Sequence, residues 1–382
     1  MQEIRMKRIL LITSANTGAG HRSITEALTE QFSEMPDVEV QVIDGFSLMG
    51  RIGIPSAKIY GFLTRHALPV YNASWKLTDA HPPGFAAAAL LCRRRFGECV
   101  SRFQPDLILT VHSLFNTLLT RMLEAQDLRI PVVVLQADLI NIHSTWCNPK
   151  AFRTICPTPE AFEASLLRGM PPEKLKLMGF PIRRRFFTSG EKADAGIGSA
   201  SRPLRCLLMS GGEGCGSIRG YAKAILENTG AELTVVCGRN EKLRRQLQRG
   251  LRPYCGRAEV LGFVSDIERE MGRSDLLITR GSPNTMLEAV AMRLPLIITG
   301  PFPHQEKDNS RLMREHGLGV LCPSPGKLPG ILCELLENDR SKLKKIRAGQ
   351  CAYRDPDCAR DVAEYAAGLA RAGTGTLSRT SV

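Results

Sequence analysis

Short apolar runs recur along the chain, and between them apolar positions repeat at helical spacing. In the first half the runs are Arg8 to Thr13, Val38 to Asp44, Asp106 to Val111 and Pro131 to Gln136. Near-continuous apolar character over that length predicts strands covered on both faces, as in parallel sheets. After the first run, Ile24, Ala27, Leu28 and Phe32 form one stripe, which predicts a helix laid on the sheet. A second series opens at Leu204 to Met209 and continues at Glu232 to Cys237, Arg257 to Leu261, Leu276 to Thr279 and Leu296 to Thr299. Strands alternating with helices predict a doubly wound α/β architecture, with ligands at the carboxyl ends of the strands.

The texture changes between Gly179 and Pro203, where Arg183-Arg184-Arg185 precedes a run of small and polar residues. That composition reads as a linker. With 382 residues, the chain suits two domains. The expected division is 1–182, a linker over 183–203, a second domain over 204–352, and a terminal helix over 353–382 that packs back on the junction.

Charge narrows the partners. Fifty-one Lys and Arg against 38 Asp and Glu give +13 and a pI near 9.3. Such an excess favours polyanions: nucleic acid, an anionic membrane or a nucleotide-sugar. No motif that reads RNA or DNA is present, so nucleic acid is not an expected partner. The 12 cysteines are scattered without a C-x-x-C pair, which argues for thiols in a reducing compartment rather than a zinc site. The N-terminal apolar run is too short for a signal peptide and no 18-residue stretch suits a membrane span. A cytoplasmic protein, or one on the cytosolic face of a membrane, is expected.

The most informative stretch is Leu276 to Asn309. A strand meets the turn Gly281-Ser282-Pro283-Asn284-Thr285 and then a run of helix formers from Met286 to Met292. Ser282 suits the N-cap and Pro283 the first helical position, so the free N–H groups of the first turn make an anion site. The next strand leads to Gln305, Glu306 and Asn309, whose hydrogen-bonding side chains fall beside the same crevice. Diphosphate and ribose would suit it.

This stretch resembles the nucleotide-sugar site of glycosyltransferase family 28, which includes monogalactosyldiacylglycerol synthases, processive diacylglycerol glucosyltransferases and the enzyme that completes lipid II. The resemblance rests on the Gly281–Thr285 turn, Glu288 and Gln305-Glu306-Lys307-Asp308-Asn309, with Asn284 where the lipid synthases usually carry Gly. It extends to Ser210, Gly211, Gly212 and Glu213, similar to the family's glycine loop for phosphate, and to Phe263 and Val264, where such enzymes hold uracil. It implies a GT-B fold, with two facing Rossmann-like domains and the active site in the interdomain cleft.

In the first domain, Gly18-Ala19-Gly20-His21 resembles the family's Gly-Gly-Gly-His, whose histidine is a proposed general base near the acceptor. Imidazole titrates near 6.5 when unperturbed, which suits removal of a hydroxyl proton. Val111-His112-Ser113 and the segment holding Asp138, His143 and Trp146 resemble further acceptor motifs, with Ser113 in place of Pro. The proton acceptor is left open between imidazole and carboxylate, with His21 and Asp138 as the catalytic candidates. His112 could equally be a core histidine.

Gly45 to Thr78 holds no acidic residue but carries Arg51, Lys58, Arg65 and Lys76 among Tyr60, Tyr71, Trp75 and other apolar residues. The segment reads as a peripheral anchor for an anionic membrane surface. The resemblance implies an inverting, metal-independent hexosyltransferase, which needs no cofactor and moves glucose or galactose from a UDP-sugar to the hydroxyl of diacylglycerol. Alternatives are a lipid II-forming N-acetylglucosaminyltransferase, a UDP-N-acetylglucosamine 2-epimerase and a non-catalytic sugar-nucleotide-binding protein.

Overall fold

The computed structural model describes residues 5–14, 19–53, 55, 59, 62–63, 67–81, 85–192, 202–209 and 218–372. It divides into two units, Met1–Arg183 with Asp357–Val382, and Arg184–Pro356.

The first unit runs β1 Lys7–Thr13, α1 Ala19–Phe32, β2 Val38–Asp44, a tight helical segment Gly45–Ile52, α2 Leu68–Ala80, α3 Ala86–Phe103, β3 Leu107–Thr110, α4 Ser113–Glu124, β4 Val132–Leu135, β5 Arg153–Cys156, α5 Pro159–Leu167 and β6 Leu175–Leu177. Its strands form one parallel sheet in the order β2-β1-β3-β4-β5-β6, with Ile9 registered against both Val40 and Leu107. Ile9 to Ile12 and the stripe Ile24, Ala27, Leu28 and Phe32 are buried, as the periodicity requires. β2 is only half-buried, because it lies at the sheet edge and alternates Val with Glu39 and Gln41. The C-terminal helix, Cys358–Ala372, lies against α1, β1 and β3, burying Val362, Ala363, Ala366 and Ala370.

The order reverses at β1: β2 flanks one side and β3 the other. Loops leaving β1 and β3 therefore diverge, opening a crevice at their carboxyl ends.

The second unit begins with α6 Arg184–Lys192. It continues through β7 Arg205–Met209, α7 Ile218–Asn228, β8 Glu232–Val236, α8 Glu241–Gly250, β9 Ala258–Leu261, α9 Ile267–Gly272, β10 Leu276–Arg280, α10 Pro283–Ala291, β11 Leu296–Thr299, α11 Asn309–Glu315, β12 Gly319–Cys322 and α12 Leu328–Tyr353. Again the sheet is parallel, ordered β12-β11-β10-β7-β8-β9, with its reversal between β7 and β10. Fully buried Asp275 anchors the entry to this sheet: both its carboxylate oxygens accept from Arg202, at 2.6 Å each, and one also accepts the N–H of Arg205.

Three strands have no counterpart in the apolar runs. β5 (RTIC), β6 (LKL) and β12 (GVLC) are short and carry polar or small residues, so their strand character comes from pairing with the neighbour. Part of the stretch expected as a linker, Arg184–Lys192, is helical and packs on α9 and α10.

Candidate active site

In the first unit, the carboxyl ends of adjacent strands bring together residues far apart in sequence. His21 lies in the first turn of α1, following β1. Its Nδ1 is 2.7 Å from the carbonyl oxygen of Val111, the residue after β3. A carbonyl can only accept, so Nδ1 carries the proton and Nε2 keeps a lone pair. Burial holds the imidazole neutral and lowers its pKa to about 4, outweighing the opposite pull of the Val111 bond.

The second histidine is turned the other way. His112 Nδ1 accepts the N–H of Leu114, capping α4 in place of the usual hydroxyl or carboxylate. Its ring lies 4.5 Å from that of His21 and is packed by Phe46 and Phe115. Burial, with the neighbouring His21, pushes its pKa well below the ordinary value. Both imidazoles are thus neutral, in complementary tautomers.

β4 supplies the third group. Asp138 stands beyond its end and accepts the indole N–H of Trp146 at 2.7 Å. Burial raises its pKa to about 6 despite that bond. Asn116 secures the loop by donating to the carbonyls of Thr145 and Trp146. No hydrogen bond joins Asp138 to His21 among the described residues; the carboxylate is held by Trp146.

His143 is a scaffold residue. Buried, it accepts the Thr145 N–H at Nδ1, while Nε2 lies 3.2 Å from Thr78 Oγ1 of α2 and Trp75 meets the ring edge-on. Asp79 completes the clasp, accepting from the Ser144 N–H at 2.7 Å and from Arg168 at 2.8 Å. Burial raises the Asp79 pKa, but these two bonds and the Arg168 charge outweigh it and leave it lowered.

This arrangement corrects the expectation that Tyr71 and Trp75 face a membrane. Tyr71 is buried and Trp75 half-buried against the 138–146 loop, while Val70 and Leu77 take the outer side of α2. The aromatic residues at i and i+4 share the inward face, as helical spacing demands. Arg51 and Lys76 are exposed; Gly18, Lys58, Tyr60 and Arg65 lie outside the described residues, and Gly20 opens α1 directly before His21.

In the second unit, β10 ends at Arg280 and the turn enters α10 at Pro283, with Ser282 at the N-cap. The Ser282 hydroxyl makes no capping bond, so no side chain caps the first turn, whose N–H groups are available to an anion. Gly281 is required by space: a side chain there would press on Ile298 and Phe302. Beneath the turn, Thr285, Glu288, Gln305, Glu306 and Asn309 are all buried. Asn309 is fully enclosed and donates its amide to the Gly281 carbonyl at 2.8 Å, so it shapes the turn from beneath. Asn284, at the position the lipid synthases give to Gly, is half-buried.

Phe263, beyond β9, is 51% exposed and carries the Arg239 guanidinium over its ring at 4.3 Å, with Val264 half-buried beside it. Ser210, Gly211, Gly212 and Glu213 lie outside the described residues.

Residues 21–182 match the Monogalactosyldiacylglycerol (MGDG) synthase family, and residues 218–338 match Glycosyl transferases group 1. The chain is 29% identical over 372 residues to monogalactosyldiacylglycerol synthase of Spinacia oleracea, covering 92% of this chain and 70% of that protein. Monogalactosyldiacylglycerol synthase 1 of Arabidopsis thaliana is also 29% identical, over 86% of this chain and 65% of its own. The chain is a GT-B-type glycosyltransferase related to the monogalactosyldiacylglycerol synthases. Its fold agrees: Acinetobacter baumannii MurG superposes with a TM-score of 0.62 at 13% identity, covering 94% of this chain and 98% of that one. A UDP-GlcNAc 2-epimerase from Neisseria meningitidis gives 0.62 at 14% identity, over 94% and 99%.

Two features of the transferase were not singled out from its sequence. Arg280 ends β10 with its Nε 3.6 Å from the Glu306 carboxylate, and Arg239 covers Phe263. The signal for the first is visible afterwards, since Arg280 is the one charge closing the apolar strand LLITR.

Proposed function

We propose that the transferase moves a hexose, glucose or galactose, from a UDP-sugar to the hydroxyl of diacylglycerol with inversion at the anomeric carbon, making a membrane glycolipid. The similarity to named monogalactosyldiacylglycerol synthases across 92% of the chain carries this reading. The hydroxyl oxygen attacks the anomeric carbon as the bond to the diphosphate breaks. His21 Nε2 receives the hydroxyl proton, which the Nδ1–Val111 bond supports by fixing the tautomer. A neutral imidazole with pKa about 4 is a weak base at rest, so the transfer occurs late, as the attacking oxygen becomes acidic.

The leaving diphosphate is met by the N–H groups opening α10 and by the charge of Arg280, and Glu306 accepts the ribose hydroxyls. These donors take the place of a metal ion. Among the described residues no helix is long and apolar enough to cross a membrane. Attachment is therefore proposed as peripheral, on the cytosolic face, through the basic segment 45–78.

Labelled UDP-glucose, UDP-galactose and UDP-N-acetylglucosamine, each incubated with diacylglycerol vesicles, test the proposal. Label from a UDP-hexose passes into the lipid phase if it holds; a free epimer, or binding without turnover, overturns it.

A further inference from the structure

α10 is enclosed along its whole length except at its start. From Gly281 to Ala291 every residue is buried but Ser282 and Asn284, each of them half-buried. Ser282 is the N-cap, so Asn284 is the one side chain of the helix itself that keeps an open surface. It stands in the first turn, where β10 gives way to α10 beside the reversal of the second sheet.

The free N–H groups of a first turn are commonly satisfied by a capping side chain, and their partial charge by a nearby Asp or Glu. α10 has neither: no side chain caps it and its first turn holds no acidic residue. A neutral carboxamide at Asn284 leaves the partial positive charge of the turn to an anion and brings a donor and an acceptor of its own.

The acceptor is unused. Asn284 Oδ1 is buried and has no hydrogen-bond donor among the described residues. The nearby amide does not serve it, because Asn309 Nδ2 donates to the Gly281 carbonyl. A buried carbonyl oxygen left without a donor is costly, and so rare in folded proteins that each instance needs a cause.

The ligand proposed for this crevice restricts what the missing donor can be. Its diphosphate is ionised and only accepts, its ribose hydroxyls are assigned to Glu306, and its base is expected at Phe263 and Val264. The hexose remains. Its anomeric carbon bears the diphosphate, so the hydroxyl on the adjacent ring carbon, C2, lies nearest to a side chain of the phosphate-binding turn.

We infer that Asn284 is a specificity-determining residue for the sugar donor, its Oδ1 accepting the 2-hydroxyl of the transferred hexose. The inference rests on the UDP-sugar reading and narrows the substrate class to UDP-hexoses with a free 2-hydroxyl. Glucose and galactose both qualify, since they differ only at C4. A 2-acetamido sugar does not, because a bulkier branch replaces that hydroxyl.

The test titrates the full chain calorimetrically with UDP, UDP-glucose and UDP-2-deoxyglucose, as wild type and as Asn284→Ala. Wild type binds UDP-glucose about tenfold more tightly than the 2-deoxy analogue, the value of one hydrogen bond to a buried acceptor. Asn284→Ala binds the two alike, and both proteins bind UDP alike. Without ligand the variant melts no lower than wild type, because it loses an unpaired oxygen and gains a better helix former.

Equal binding of the two sugar nucleotides by wild type, or a tenfold preference kept by Asn284→Ala, overturns the inference. A lower Tm for the ligand-free variant also overturns it, by making Asn284 a structural support. So does a loss of UDP affinity as large as the loss for UDP-glucose, which places the amide N–H on the diphosphate. If the expected pattern is found but no sugar reaches diacylglycerol, the acceptor reading fails and the role of Asn284 stands. A wild-type protein that binds no UDP overturns both.

Discussion

His21 donates its Nδ1–H to the Val111 carbonyl at 2.7 Å, across the point where the first sheet reverses its strand order. One backbone oxygen thereby decides which ring nitrogen can receive a proton.

Replacing His21 by Ala should lower the transfer rate by roughly 10²–10⁴. UDP affinity should stay at the wild-type value, because the proposed nucleotide contacts belong to the other unit. Calorimetric titration with UDP alongside a turnover assay checks both; unchanged turnover would remove His21 from the mechanism.

Asp138 offers a test in the opposite direction. Its folded pKa of about 6 exceeds its ordinary 3.8, so the folded state binds the proton more tightly between those values. The stability it contributes is complete below about 3.8 and is lost as pH rises through about 6. Asp138→Asn should therefore raise Tm at pH 8 and not at pH 4, by up to about 3 kcal/mol of stability, with the Trp146 bond retained by the amide oxygen. His21 acts with the reverse sense, its lowered pKa costing stability as pH falls from 6.5 towards about 4. Thermal melts at the two pH values decide it, and a variant less stable than wild type at pH 8 refutes the burial cost assigned to this carboxylate.

Glu306→Ala should weaken UDP binding by about 1.5–3 kcal/mol, the value of charge-assisted bonds to two ribose hydroxyls. Arg280→Gln should weaken it as well, while 2′,3′-dideoxy-UDP should bind Glu306→Ala and wild type alike. Equal losses with both nucleotides would place Glu306 in the scaffold.

The strands buried on both faces were legible because Ile9 to Ile12 and Leu276 to Ile278 need cover on either side. β5, β6 and β12 were not, since a strand held by its neighbour needs no apolar run of its own. The turn at Gly281–Thr285 announced itself through Ser282 and Pro283 ahead of a run of helix formers, although the Ser282 hydroxyl makes no capping bond. Motif residues say less about depth: Asn309 and His143 are both buried and both bond to loop backbone. Tyr71 and Trp75 misled for a related reason, because a basic, aromatic segment does not reveal which helical face turns inward. Arg280 escaped notice because an ion pair with Glu306 joins the ends of two different loops, a proximity set by β10 and β11 lying side by side.

The proposed metal independence has its own consequence. Activity should survive EDTA if helix N–H groups and Arg280 meet the diphosphate as proposed. Abolition by chelator with recovery on adding Mg²⁺ would require a metal in the mechanism.

The most direct measurement is the anomeric configuration of the lipid product formed from diacylglycerol and a UDP-α-hexose, read by proton NMR. Inverting transfer predicts a hexose in β-linkage to the glycerol hydroxyl; an α-linked lipid, or an epimerised sugar nucleotide with no lipid product, would contradict it.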